Sequence, residues 1–166
     1  DNAAGRRLLE EAIAIDPGYT GAMAWLGVTH YWDARYSISV DREGAIARLE
    51  DCAAAIEALD PGLSQLFMLK SCAAFLRRQH DEALRWGEAA TLRAPGDSRA
   101  HGFLGMFQIY AGDIDGALVS IKQAMHRSPK PEVYLHYYLG IIHMWRGEYG
   151  RALDQALENQ RQRDRG

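Results

Sequence analysis

The chain has little of what builds a sheet, a disulfide framework or a metal centre. Of its 166 residues, two are cysteine and five are proline. Cys52 and Cys72 make no disulfide framework, and both are expected as small core thiols in a reducing cytoplasm. Alternation with a period of two is nearly absent, which argues against a sheet-based fold. No run of 18 apolar residues occurs, so no segment is expected to cross a bilayer as a helix. The net charge of −3 is too weak a field to draw the chain to nucleic acid or to an anionic membrane.

Catalytic signatures are missing as well. No HExxH, CxxC, GxSxG or GxxxxGK occurs. His136 and His143 lie seven apart, about two helical turns, so one metal could not easily take both. His101 and His126 fall on different helices. The acidic pairs Glu10 with Glu11 and Glu50 with Asp51 read as solvated helix faces. Arg77, Arg78, Arg85 and Arg93 lie on or near the outer surface without the interleaved aromatics of a nucleic-acid site. We therefore expect no catalytic residue, no metal, no cofactor and no enzymatic activity. Residue 1 is not Met and the first residues already carry helical spacing, which leads us to expect a piece of a longer protein.

What is present is regular. Pro61, Pro95 and Pro129 are 34 residues apart, twice in succession. Ala83 and Ala90 lie 12 and 5 residues before Pro95, and Ala117 and Ala124 lie 12 and 5 before Pro129. Alanines seven apart share one helix face, where a methyl lets a partner helix approach to roughly 8–10 Å. Leu104 and Gly105 supply the matching knob and gap on the preceding helix. In this repeat Ser98 is expected to cap the first helix, Gly112 to end it and Asp113 to cap the second, which runs over 114–127 until Ser128 precedes a proline.

The other repeats follow with variations. Residues 3–16 form one helix with Leu8, Leu9, Ala12 and Ile13 on its buried face; Ala12 is five before Pro17, so this is a second helix without its first. The next repeat, 18–61, carries Leu26 and Gly27 and a long inter-helix turn over 33–44, where a neutral insertion would tuck Tyr36 and Val40 onto the array. Long connections in compact repeats are often functional, so the turn is a second candidate feature. The repeat 62–95 has Lys70 and Ser71 in place of Leu and Gly, so its helices should pack less closely or Lys70 must snorkel. The repeat 96–129 is the most regular. In 130–166 Pro131 adds one residue, after which Leu139, Gly140, Gly147 and Ala152 resume the pattern and a polar tail closes the chain.

A 34-residue period built on helical patterns resembles the tetratricopeptide repeat. The resemblance implies an all-α fold, a single domain over 1–166 forming a right-handed α-α superhelix of about four and a half helix-turn-helix repeats. In such arrays the first helix of each pair lines a concave binding face. Counting from the prolines places Tyr31, Trp32, Met68, Cys72, Phe75, Arg99, Met106, Ile109, Tyr110, Tyr137, Ile141, Met144 and Trp145 there. This set is rich in aromatics and methionine, which suits an apolar helix or extended segment of a partner protein; the alternative is that several of them pack between adjacent repeats. Tetratricopeptide domains that grip the carboxyl tails of chaperones share a clamp of Lys, Asn and Arg. The corresponding positions here are Met68, Cys72, Gly102 and Met106, which form no such clamp.

Two stretches resemble a narrower group. Residues 24–61 (AWLGVTHYWDARYSISVDREGAIARLEDCAAAIEALDP) are similar to the second repeat of the arrays attached to bacterial class III adenylate or guanylate cyclases and to some transcriptional regulators, and 129–152 (PKPEVYLHYYLGIIHMWRGEYGRA) to their last. Asn159 departs from the pattern, standing where the last alanine would be. The resemblance implies a non-catalytic interaction module of a cytoplasmic bacterial signalling protein, with a protein or peptide segment as partner and neither nucleic acid nor membrane. Two other readings stay open. The array could self-associate into a homo-oligomer through its exposed ends, or sense a small ligand between Trp32, Tyr110 and Trp145.

Overall fold

The computed structural model describes residues 2–36 and 41–164, and among these there is no strand. The chain divides into two compact units, 1–93 and 94–166. The division falls beside Pro95, where one repeat was expected to end.

The first unit holds α1 (Asn2–Ile15), α2 (Thr20–Tyr36), α3 (Arg42–Leu59), α4 (Ser64–Leu76) and α5 (His80–Arg93). Helices α2 and α3 pair, α4 and α5 pair, and α4 also packs on both α2 and α3. Being covered on several sides, α4 buries most of its length, from Leu66 to Leu69 and from Ser71 to Ala74. That is why its sequence is apolar all round rather than striped. Helix α1 rests on α2, tied by an ion pair between Arg6 and Asp33. Leu8, expected in the buried face of α1, is 66% exposed, because among the described residues only α2 packs against α1.

The expected long turn is mostly helix. Residues 33–36 extend α2 by one turn and Arg42 already begins α3, capped by the Asp41 carboxylate on the Gly44 N–H at 3.1 Å. Stacking sustains the extension: Tyr36 lies on Trp32 at 5.6 Å between centroids, and the Arg35 guanidinium sits 5.1 Å from the Tyr36 ring. Val40, expected on the array, lies outside the described residues.

The second unit holds α6 (Ser98–Ala111), α7 (Ile114–Arg127), α8 (Val133–Trp145) and α9 (Tyr149–Arg163). Helices α6 and α7 pair, α8 and α9 pair, and α8 packs on α7 and α6. Helix α7 follows its expected bounds. Asp113 caps it by accepting from the Gly116 N–H at 2.9 Å, and Ala117, Ile121 and Ala124 are fully buried along one face. Burying Ile121 alone contributes about 1.5–3 kcal/mol. The close approach is set by Gly105: a methyl there would meet the Ile121 side chain at 2.8 Å and its backbone nitrogen at 3.1 Å.

The cap of α6 is corrected by one residue. Asp97, not Ser98, receives the Arg99 N–H, at 2.9 Å. The Ser98 hydroxyl instead donates to the Ala124 carbonyl at 2.8 Å. Asn159, where an alanine was expected, makes the equivalent tie in the last pair, donating to the Val133 carbonyl at 2.8 Å.

Candidate interaction surfaces

The expected binding face does not survive intact. Tyr31, Met68, Cys72 and Met106 are at most 2% exposed and cannot touch a partner. For the first unit the reason is the covering of α4, whose Met68 and Cys72 turn into the seam with its neighbours rather than to solvent. Tyr31 lies edge-on to Trp32 at 4.8 Å. Phe75 and Trp32 are half-buried; Phe75 packs edge-on against the His80 ring at 5.7 Å. Burial pushes the Cys72 thiol up and the Cys52 thiol to about 11, with the Asp51 charge adding to the latter. Cys52, expected in the core, is only half-buried.

In the second unit Arg99 is half-buried and bonded to Asp97, and Ile109 is half-buried beside an exposed Tyr110. The residues on α8 differ. Tyr137, Met144 and Trp145 are 53%, 59% and 72% exposed. With Ile141 and Gly140, Tyr137 and Met144 form one wall of a groove of about 220 Å³. Ala152, Ala156 and Asn159 of α9 form the other, and His136 closes it. Small side chains from α9 and long ones from α8 make a shallow apolar trough, because no further helix among the described residues covers this side of the pair.

Hydrogen bonds fix the groove's frame. The His136 Nδ1–H donates to Gln155 Oε1 at 2.9 Å, and Nε2 accepts from the Gln162 amide at 3.1 Å, so one neutral tautomer satisfies both. At the far end of α8 Glu148 gathers three donors: Arg146 at 3.0 Å, Arg151 at 3.0 Å and His143 Nδ1 at 2.8 Å. Hydrogen bonds from Arg146 first, then Arg151 and His143, hold its carboxyl down to about 2. The α8–α9 turn is therefore stapled by charge where the trough itself carries none.

A second depression, of about 240 Å³, lies over α3, α4 and α5 with Ala53, Ala54, Ala73 and Ala74 among its lining residues. Two ion pairs cross its rim: Arg77 bridges Glu50 at 2.6 and 2.8 Å, and Lys70 reaches Glu57 at 2.7 Å while lying 5.1 Å from the Trp86 ring. Lys70 thus snorkels. Among the described residues no group of three or more His, Cys, Asp or Glu could hold a metal, and no helix is long and apolar enough to cross a membrane.

No protein-family profile matches the chain, and no curated protein matches it. Solved structures do. TTC0263, a thermophilic TPR protein of Thermus thermophilus, superposes with a TM-score of 0.73 at 22% identity, covering 97% of this chain and 82% of that one. A tetratricopeptide repeat protein of Parabacteroides merdae gives 0.69 at 14% identity, covering 93% of this chain and 56% of that one. A crystal structure of MamA gives 0.63 at 17% identity, covering 97% and 90%. At these identities the likeness is one of fold, and the fold is the tetratricopeptide helical repeat.

Proposed function

We propose that the chain is a non-catalytic interaction module that holds an apolar helical segment of a partner protein in the trough between α8 and α9. The observation that carries this reading is the exposure of Tyr137, Met144 and Trp145 on a helix whose other side is core. An alanine floor admits a close backbone, and a flexible methionine adapts to an irregular occupant. The test is photo-crosslinking from position 144, with Val119, 61% exposed on α7, as the control position. Partners crosslinked from 144, not from 119, and lost with Tyr137→Glu are expected. The same partners from both positions would reject the trough.

Exposed Leu8 and Ile15, at 66% and 86%, favour a second reading in which α1 mediates self-association. Sedimentation of a monomer across the micromolar range, unchanged by Leu8→Glu, would remove it. For the parent protein we propose a cytoplasmic bacterial signalling protein, a class III nucleotide cyclase or a transcriptional regulator. Support comes from the resemblance of 24–61 and 129–152 to arrays of those proteins. The sequence of the flanking reading frame tests it: a cyclase or DNA-binding domain is expected, and a different output domain would replace the proposal.

A further inference from the structure

One turn of the first unit uses a residue that its counterparts avoid. Helices α6 and α8 end on Gly112 and Gly147, at φ +85° and +72°. Thirty-four residues before Gly112, the end of α4 has Arg78 at φ +62°, the one positive-φ residue other than glycine among the described residues. The hydrogen bonds are the same in all three turns. The Arg78 N–H bonds Phe75 O at 3.0 Å and the Gln79 N–H bonds Ala74 O at 2.9 Å, as the Gly112 N–H bonds Ile109 O at 3.1 Å and the Asp113 N–H bonds Gln108 O at 2.9 Å. Nothing in the turn requires a side chain, and a left-handed backbone disfavours one. The Arg78 side chain makes no hydrogen bond or ion pair among the described residues.

The side chain stands between two depressions: one of about 450 Å³ that it shares with Asp81, Glu82 and Arg85, and a cavity of about 380 Å³ that it lines beside Arg35, Arg42, His80, Phe75 and Leu76. None of the described residues lining the latter cavity is acidic. Two of the guanidiniums are fixed by bonds within the chain: Arg35 by the Tyr31 hydroxyl at 3.0 Å and the Phe75 ring at 4.9 Å, Arg42 by the Leu76 carbonyl at 2.6 Å and Glu43 at 3.2 Å. Pre-positioned guanidinium forks match the several oxygens of a phosphate, and strained backbone retained at a cavity mouth is a mark of function. The volume exceeds that of inorganic phosphate several-fold, and Phe75 and Leu76 offer an apolar wall for whatever carries the phosphate.

We propose that this cavity binds a phosphate monoester, with Arg78, Arg35 and Arg42 on the phosphate and the apolar wall on its organic body. The proposal does not depend on the trough at α8 and α9. It is tested by titrating the whole chain with phenyl phosphate by calorimetry. Saturable binding is expected, weakened about tenfold or more in Arg78→Gly, unchanged in Arg85→Ala, and about tenfold stronger than binding of benzoate, which presents the same ring with a single charge. Because Arg78→Gly relieves the backbone, it should melt no lower than the parent, so lost binding cannot be lost folding. A short phosphotyrosine peptide that matches or exceeds phenyl phosphate assigns the monoester to a partner protein; one about tenfold weaker assigns it to a free small molecule. No saturation by ~10 mM phenyl phosphate, equal affinity in Arg78→Gly, or equal affinity for benzoate would overturn the proposal.

Discussion

The pair α4 and α5 and the pair α6 and α7 occupy equivalent places 34 residues apart, yet they close by different means. In the later pair Gly105 lets the Ile121 backbone come within 3.1 Å of where a methyl would stand. In the earlier pair Ser71 stands at that place, fully buried, and its hydroxyl donates to the Ala83 carbonyl at 2.6 Å. One seam is held by absence of a side chain and the other by a hydrogen bond. The units also treat buried histidine differently. His136 of the second unit has both ring nitrogens bonded. His30 of the first is 6% exposed and its Nδ1 has no partner. Burial first, then the charges of Arg48 and Arg6, lower its pKa to about 4. A repeat therefore specifies where helices meet but not which chemistry holds them.

Acid should give the largest effect and should act through the first unit. His30 has its ordinary value of 6.5 when unfolded and about 4 when folded. The unfolded chain therefore takes up the proton first, and stability present above pH 6.5 is lost as the pH falls towards 4, up to about 3 kcal/mol in all. Thermal melts across this range should show the loss, and His30→Leu should flatten it; an unchanged slope would assign the titration elsewhere. In the second unit, Ala117→Leu should overpack the α6–α7 seam by about 1–3 kcal/mol, and an unshifted circular dichroism midpoint would refute the seam.

The two closures can then be exchanged. Gly105→Ser forces Ile121 aside, and about 1–2 kcal/mol should be lost. Ser71→Ala removes one buried donor and should cost about 1 kcal/mol. Equal and negligible effects on urea midpoints would mean that the two seams are the same after all. The smallest change is expected for Lys70→Met, which gives up an exposed ion pair with Glu57 and should stay within ~0.5 kcal/mol.

Prolines and alanines made the repeat legible, because each acts alone: a proline stops a helix wherever it stands, and an alanine at a contact sets a distance. The bounds of α7 followed from such residues. The Asp97 cap was missed because two capping residues are adjacent and only geometry decides which faces the helix. Tyr31, Met68, Cys72 and Met106 were misplaced for a different reason. Repeat position says which side of a helix a residue occupies, but not how many neighbours that side has, and α4 is wrapped by three helices. The arginine-lined cavity was not seen at all, since Arg35, Arg42 and Arg78 come from separate helices or turns. Its one signal in the sequence was an arginine at the place where Gly112 and Gly147 stand.

The state of the two thiols has a practical consequence for attaching probes. Alkylating reagents attack the thiolate, so their rate follows the ionised fraction and the access of the sulfur. Cys72 is sealed in the core and Cys52 ionises only near pH 11. At neutral pH both should react slowly, and a cysteine introduced at exposed position 144 should take a maleimide dye first. The native protein then serves as its own background for spectroscopic labelling, with neither native cysteine removed.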